Sequence, residues 1–232
     1  MERRDFFTLC AASAAGAALP EARAASPAVR LYARAKLIDE SRVPLRLASL
    51  KTGTNYVFDY PFTSTPCFLL RLDRPVAAGI ELRTEAGAAY KWEGGIGEGK
   101  SVVAYSAICA HKMTYPTRQV TFIGYRDGPS PVAGRGRVIT CCSDRSVYDP
   151  AAGARVVSGP APQPLATILL EHDARSGETF AVGTFGGEMF AEFFRKYEFR
   201  LQLEMGPRAR DGVGAETVVR ALENYSTQWA KC

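Results

Sequence analysis

The chain has 232 residues, 47% hydrophobic and 23% charged, with 29 Lys and Arg against 24 Asp and Glu. That is enough for one good-sized domain or two small ones with an ordinary globular balance, and it excludes a collagen-like, disordered or multi-span membrane chain. The net charge of +5 comes from scattered Lys and Arg with no basic tract, so no nucleic-acid partner is indicated.

Residues 1–24 read as an export signal rather than as part of the fold. Arg3 and Arg4 form a twin-arginine pair followed by Asp5, Phe6 and Phe7. A short apolar run rich in Ala and Gly extends to Leu19, Pro20 breaks it, and Ala22-Arg23-Ala24 supplies the small-x-small pattern of a cleavage site. The run is shorter than the roughly 20 residues that span a bilayer. The expectation is a periplasmic protein exported by the twin-arginine route, which carries folded and often cofactor-loaded chains. An uncleaved N-terminus would leave it associated with the membrane. The acidic and basic residues of the signal cancel, so the rest of the chain keeps the whole positive excess.

Past the signal the pattern is mostly that of strands. Leu31 to Leu37 alternates, as does Leu45-Arg46-Leu47, and Tyr56-Val57-Phe58 and Phe68 to Leu72 are strand-like with Pro and Gly between them. Val102 to Tyr105 leads into Cys109, and Arg137 to Thr140 leads into Cys141, so two strands each deliver a loop that begins with cysteine. Ile168 to His172 and Thr179 to Val182 read as a hairpin. Helix is scarce: Glu188 to Lys196 has helical spacing, and Ala215 to Asn224 is a second, short candidate. Residues 206–214 are rich in Gly, Pro, Arg and Asp and read as a linker. The expected fold class is all-β: an antiparallel β domain over 25–205 with a small loop subdomain, one or two short helices near the C-terminus, and a linker and C-terminal arm over 206–232.

The residues that carry chemistry are Cys109-Ala110-His111 and Cys141-Cys142-Ser143-Asp144-Arg145-Ser146-Val147-Tyr148-Asp149-Pro150, with Gly159-Pro160-Ala161-Pro162 behind them. Over about residues 100–170 this set resembles the Rieske iron–sulfur family. One loop of that family reads Cys-x-His and the other Cys-x-x-His; the cysteines hold one iron of a [2Fe–2S] cluster and the histidines the other. Aligning Ser146, Tyr148 and Asp149 with the family's second loop makes Cys141 the ligand and puts Asp144 where the second histidine belongs. The resemblance therefore implies a cluster bound within about residues 105–165, by Cys109 and Cys141 on one iron and His111 and Asp144 on the other. A carboxylate is a competent hard ligand for ferric iron, and its negative charge favours the oxidised state. Cys142 is the alternative fourth ligand, and loss of the cluster is a third possibility. Ser146 and Tyr148 match hydroxyls that hydrogen-bond to cluster and cysteine sulfurs, and Gly159-Pro160 matches the loop that shields the cluster.

Other departures are informative. The chain has two histidines, and His172 falls on the hairpin strand outside both loops. The inter-loop disulfide of respiratory relatives is missing, because its places fall on Thr114 and Ser143. Cys67 with Cys232 is a candidate bridge that would pin the C-terminal arm, although sequence does not fix the pairing. With one histidine left over, the mononuclear iron site of a Rieske oxygenase cannot be built. The resemblance implies a one-electron transfer protein or oxidoreductase subunit rather than a stand-alone enzyme, its partner a cytochrome or membrane oxidoreductase. A cluster-free interaction subunit and a zinc site on the same residues are the competing readings.

Overall fold

The computed structural model describes residues 29–76 and 78–232; the expected export signal lies outside the described residues. The strands are β1 (Val29–Ile38), β2 (Tyr56–Asp59), β3 (Pro66–Arg71), β4 (Ile80–Arg83), β5 (Ala89–Trp92), β6 (Val102–Ser106), β7 (Val120–Thr121), β8 (Ile123–Arg126), β9 (Val138–Cys141), β10 (Ser146–Asp149), β11 (Arg155–Ser158), β12 (Thr167–His172), β13 (Thr179–Phe185), β14 (Glu216–Val218), β15 (Arg220–Ala221) and β16 (Gln228–Trp229). Among the described residues there are also two α-helices, α1 (Phe190–Met205) and α2 (Leu222–Tyr225), and four short 3-10 turns. The fold is all-β and largely antiparallel, as expected; among the described residues, only β1 with β14 and β7 with β16 run parallel.

Eight strands form the main sheet in the order β14-β1-β13-β12-β6-β3-β2-β15. Its two edge strands are neighbours in sequence, separated by Val219 alone. One short stretch of chain therefore holds both edges and draws the sheet into a barrel-like curve. The Val219 amide reinforces this by donating to the Ile38 carbonyl at 2.8 Å.

The central strands are buried on both faces. On β3 and β6, Phe68, Leu70, Val103 and Tyr105 belong to one core cluster. Their chain neighbours Cys67, Leu69, Val102 and Ala104 belong to another, with Leu37, Phe58, Ile168 and Ala181. This explains the unbroken apolar run Phe68-Leu69-Leu70, which does not alternate because neither face meets water. The second cluster lies inside the curve. The first is shared with a four-stranded sheet, β11-β10-β9-β8, whose Ile123, Tyr125, Ile139 and Tyr148 pack against Tyr105 and its neighbours. Burying each such side chain contributes roughly 1.5–3 kcal/mol.

Three local expectations are corrected. The helix expected over Glu188 to Lys196 runs on to Met205, with a kink at Tyr197. Its second half was hidden because Phe199 and Leu203 face solvent, which spoils the apolar period. The helix expected over Ala215 to Asn224 is instead β14, β15 and the single turn α2; the β-branched run Thr217-Val218-Val219 is claimed by edge pairing with β1. The stretch read as a linker, 206–214, is held in place: Ala209 and Val213 are buried, and the Ser64 hydroxyl donates to the Ala209 carbonyl at 2.6 Å.

The candidate bridge is also corrected. Cys67 is a free, fully buried thiol inside the curved sheet, donating to the Tyr60 carbonyl at 3.1 Å. Cys232 bonds Cys142 instead, across a sequence separation of 90. β3 carries Cys67 into the interior, whereas β16 and the last residues run beside β7 and the second cysteine loop. Cys232→Ser should therefore destabilise the domain by about 2–4 kcal/mol. Urea unfolding of the oxidised variant checks this, and wild type under reducing conditions should match it.

Candidate metal centre

The two cysteine loops have the same backbone design. In the first, Cys109 lies just past β6; in the second, Cys141 is the last residue of β9. The amide of the residue four places on returns to each cysteine carbonyl at 2.8 Å, from Met113 and from Arg145. Both of those residues are left-handed, at φ 55° and 64°. Each loop closes one residue later: the Cys109 amide donates to the Thr114 carbonyl at 2.8 Å, and Cys141 pairs with Ser146 across the β9–β10 ladder. A left-handed residue other than Gly costs of order 1 kcal/mol, and strain repeated in two facing loops marks a built site.

The loops bring the expected residues together. Among the described residues, Cys109, Cys141 and Asp144 form a group whose ligand atoms all lie within 4.8 Å of one another. Asp144 Oδ2 is 3.2 Å from Cys109 Sγ and 3.2 Å from His111 Nδ1. The Asp144 side chain is only 1% exposed, whereas that of His111 is 38% exposed. The centre is thus buried on its sulfur side and open at the histidine. The other carboxylate oxygen, Oδ1, accepts the Ser146 amide at 3.0 Å, an Asx turn that aims the side chain inward.

The electrostatics are those of crowded acids. Cys109 is held below the usual thiol range, chiefly because the Cys141 thiol donates to it; the Tyr148 hydroxyl and the His111 amide add to this, against burial and the charge of Asp144. Cys141 is pushed well up as the donor of that pair, by burial and by the negative charges of Cys109 and Asp144. For Asp144, burial acts to raise the carboxyl, but the Ser146 amide and the two thiols outweigh it and hold it below the ordinary value. Among the described residues, His111 is the only basic side chain in contact with this set.

The surroundings fit a sulfur-containing cluster. Tyr148 Oη lies 3.2 Å from Cys109 Sγ and accepts the Ala110 amide at 3.2 Å. The Ser146 hydroxyl is completely buried and makes no hydrogen bond of good geometry, although it lies close enough to Asp144 to help lower that carboxyl. An enclosed hydroxyl without a partner costs about 1–3 kcal/mol, and an inorganic sulfide is the kind of acceptor that would satisfy it. Asp144 Oδ2 is equally close to the Cys109 sulfur and to His111, so the contacts gather the four expected ligands without dividing them into pairs.

Supporting elements hold the loops from behind. Gly159, at φ 90°, presses so closely on the second loop that an added Cβ would lie 2.5 Å from the Arg145 carbonyl oxygen and 2.6 Å from the Ser146 Cα. Pro160 beside it is exposed. Helix α1 braces the first loop: Lys196 and Tyr197 both donate to the Lys112 carbonyl, and Tyr115 packs edge-on against Phe193. Cys142 turns away from the centre, its sulfur 3.1 Å from the Ala230 carbonyl and bonded to Cys232, which removes it as a ligand. His172 sits at the end of β12 against the Thr179 hydroxyl, outside the site. Sequence reading missed the bracing by α1 and the tether to the C-terminus; the one available signal was a cysteine left over directly beside a ligand.

No family model matches the chain. Among solved structures, the soluble domain of the Rieske protein II (soxF) from Sulfolobus acidocaldarius is similar, with 27% identity, a TM-score of 0.45, and coverage of 68% of this chain and 82% of that one.

Gly159→Ala should destabilise the second loop, because the clashing atoms are backbone and cannot swing aside. The expected loss is about 1–3 kcal/mol in chemical denaturation. An alanine variant as stable as wild type would show that the loop is not held from this side.

Proposed function

We propose that the chain is an exported, periplasmic Rieske-type protein that binds a [2Fe–2S] cluster and passes single electrons between a membrane or periplasmic oxidoreductase and a cytochrome-like acceptor. The observation that carries this reading is the enclosed trio Cys109, Cys141 and Asp144, three acidic groups whose ligand atoms lie within 4.8 Å of one another and could hold a metal. Cys109 and Cys141 hold one iron, His111 and Asp144 the other. When bound, such a cluster supplies a one-electron couple.

The remaining residues tune and expose that couple. Tyr148 and Ser146 offer hydroxyls to the sulfurs, which favours the reduced state, while the Asp144 carboxylate favours the oxidised one. The half-open His111 provides the route for electrons to the surface. Around it Lys112, Arg145 and Lys196 are exposed, and the one carboxylate of the two loops, Asp144, has its side chain buried. A cationic rim of this kind suits an acidic redox partner.

A cluster-free interaction subunit is the competing reading, and one observation favours it: Asp144 already caps the Ser146 amide and contacts His111, so the loop is closed without a metal.

Electron paramagnetic resonance of the dithionite-reduced protein, with iron, sulfide and zinc assayed on the same sample, separates the readings. The expected result is a reduced [2Fe–2S] signal and close to two irons and two sulfides per chain, as that formula requires. Absence of iron and signal in protein matured with the cell's cluster-assembly machinery leaves the interaction subunit, and stoichiometric zinc without sulfide indicates a structural ion. In the cluster protein, Asp144→His should keep the signal and raise the reduction potential, because it exchanges an anionic ligand for a neutral one. Oxidation by ferricyanide, an anion, should slow as ionic strength rises, and the Lys112→Glu, Arg145→Glu double variant should lose most of that salt dependence.

A further inference from the structure

Helix α1 buries one side and leaves an apolar pair on the other. Phe190, Phe193, Phe194 and Leu201 share a core cluster with Ile108 and Tyr115, which flank the first cysteine loop. Phe199 and Leu203, by contrast, are 78% and 71% exposed. Single exposed apolar side chains are ordinary, but these two stand four residues apart, which sets them side by side on the helix surface, about 5–6 Å between Cβ atoms. Counted from Lys196, Phe199, Arg200 and Leu203 come three, four and seven residues on, so all four share one side of the helix. That side meets the first loop: Lys196 donates to the Lys112 carbonyl, and Arg200 lies over the Tyr115 ring at 5.6 Å. The apolar pair therefore begins about one turn from the loop that carries His111, the open end of the candidate metal centre.

The charges around the pair restrict what can cover it. Its acidic neighbours are committed, Glu204 to Arg200 at 2.7 Å and Glu198 to Arg210 at 3.8 Å. Among the described residues, no carboxylate forms an ion pair with Lys112, Arg195 or Lys196, all of them exposed, and Glu192 pairs with no cation. What remains is an apolar pair beside three cations without counter-charge. A second copy of this chain would set like charges against one another. A lipid surface calls for a broad apolar helix face, and here two apolar side chains lie between Glu198 and Glu204. A protein with an apolar patch ringed by carboxylates complements both features at once.

We propose that the Phe199–Leu203 stripe of α1, with Lys112 and Lys196 at its end, is the docking surface for an acidic electron-transfer protein. The proposal rests on the electron-transfer reading and adds to it the part of the surface that the partner covers. The contact is small, as suits a partner that leaves after taking one electron.

An acidic plastocyanin serves as the probe, because its copper accepts one electron. Titration of the oxidised protein with the copper(II) form, where no electron moves, should show binding at low ionic strength that the Phe199→Ser, Leu203→Ser double variant weakens about tenfold or more. Both positions are exposed, so folding is not at stake, and Leu31→Ser, at another exposed position on β1, should bind as wild type does. Stopped-flow oxidation of the reduced protein, in which one electron passes from the cluster to copper(II), should slow by the same factor in the double variant. Oxidation by ferricyanide, which needs no apolar contact, should keep its rate. A sample without a [2Fe–2S] resonance would overturn the electron-transfer reading and this proposal with it, whereas a normal resonance with equal plastocyanin binding by wild type and double variant would overturn the docking surface alone. Failure of wild type to bind the plastocyanin, or equally tight binding of a basic cytochrome c, would also overturn it. So would wild-type self-association, or binding to phosphatidylserine vesicles, that the double variant loses, since either would assign the stripe to a different occupant.

Discussion

The packing of the four-stranded sheet against the outer face of the curved main sheet sets the position of everything at the candidate metal centre. Tyr105 of β6 and Ile139 and Tyr148 of β9 and β10 share one core. β6 leads to Cys109 and β9 ends in Cys141, so the interface that buries these side chains also fixes the separation of the two sulfurs. Tyr148 takes part in both, with its ring in the core and its hydroxyl on the Cys109 sulfur. A change in that packing would be transmitted directly to the ligands, because densely packed interiors pass on strain rather than absorb it.

On this frame the two loops act as near copies. Each turns through an amide bond back to its cysteine carbonyl, and each holds its fifth residue in a left-handed conformation. The copies differ in the spacing of the second ligand: His111 lies two residues past its cysteine, Asp144 three. That difference puts the carboxylate under cover and the imidazole at the surface. The asymmetry leaves the centre closed on the side of its sulfurs and open at the imidazole.

The C-terminal segment has a structural role that its composition conceals. It closes the curved sheet through β14 and β15 and ends in the disulfide to Cys142, the neighbour of Cys141. The bond ties the second loop to the C-terminal segment rather than to the first loop. One short stretch thus links barrel closure to the support of the metal centre.

The sequence by itself determined the all-β class, the two strands that deliver the cysteine loops, and the residues that meet there. Those features are local: a strand is written in a few consecutive β-branched and aromatic residues, and Cys-x-His or Cys-x-x-Asp is fixed by spacing within one turn. It misassigned the fate of Thr217 to Ala221, where pairing with distant strands outweighs local propensity, and the length of α1, whose second half shows Phe199 and Leu203 to solvent. It left open which cysteines pair, because that depends on where strands 90 residues apart come to lie. It gave no sign that Asp59 Oδ1 and Tyr115 Oη would be enclosed without hydrogen-bond partners. That burial exists only once β2, the segment after the first cysteine loop, α1 and α2 have packed together, and tertiary structure alone decided it.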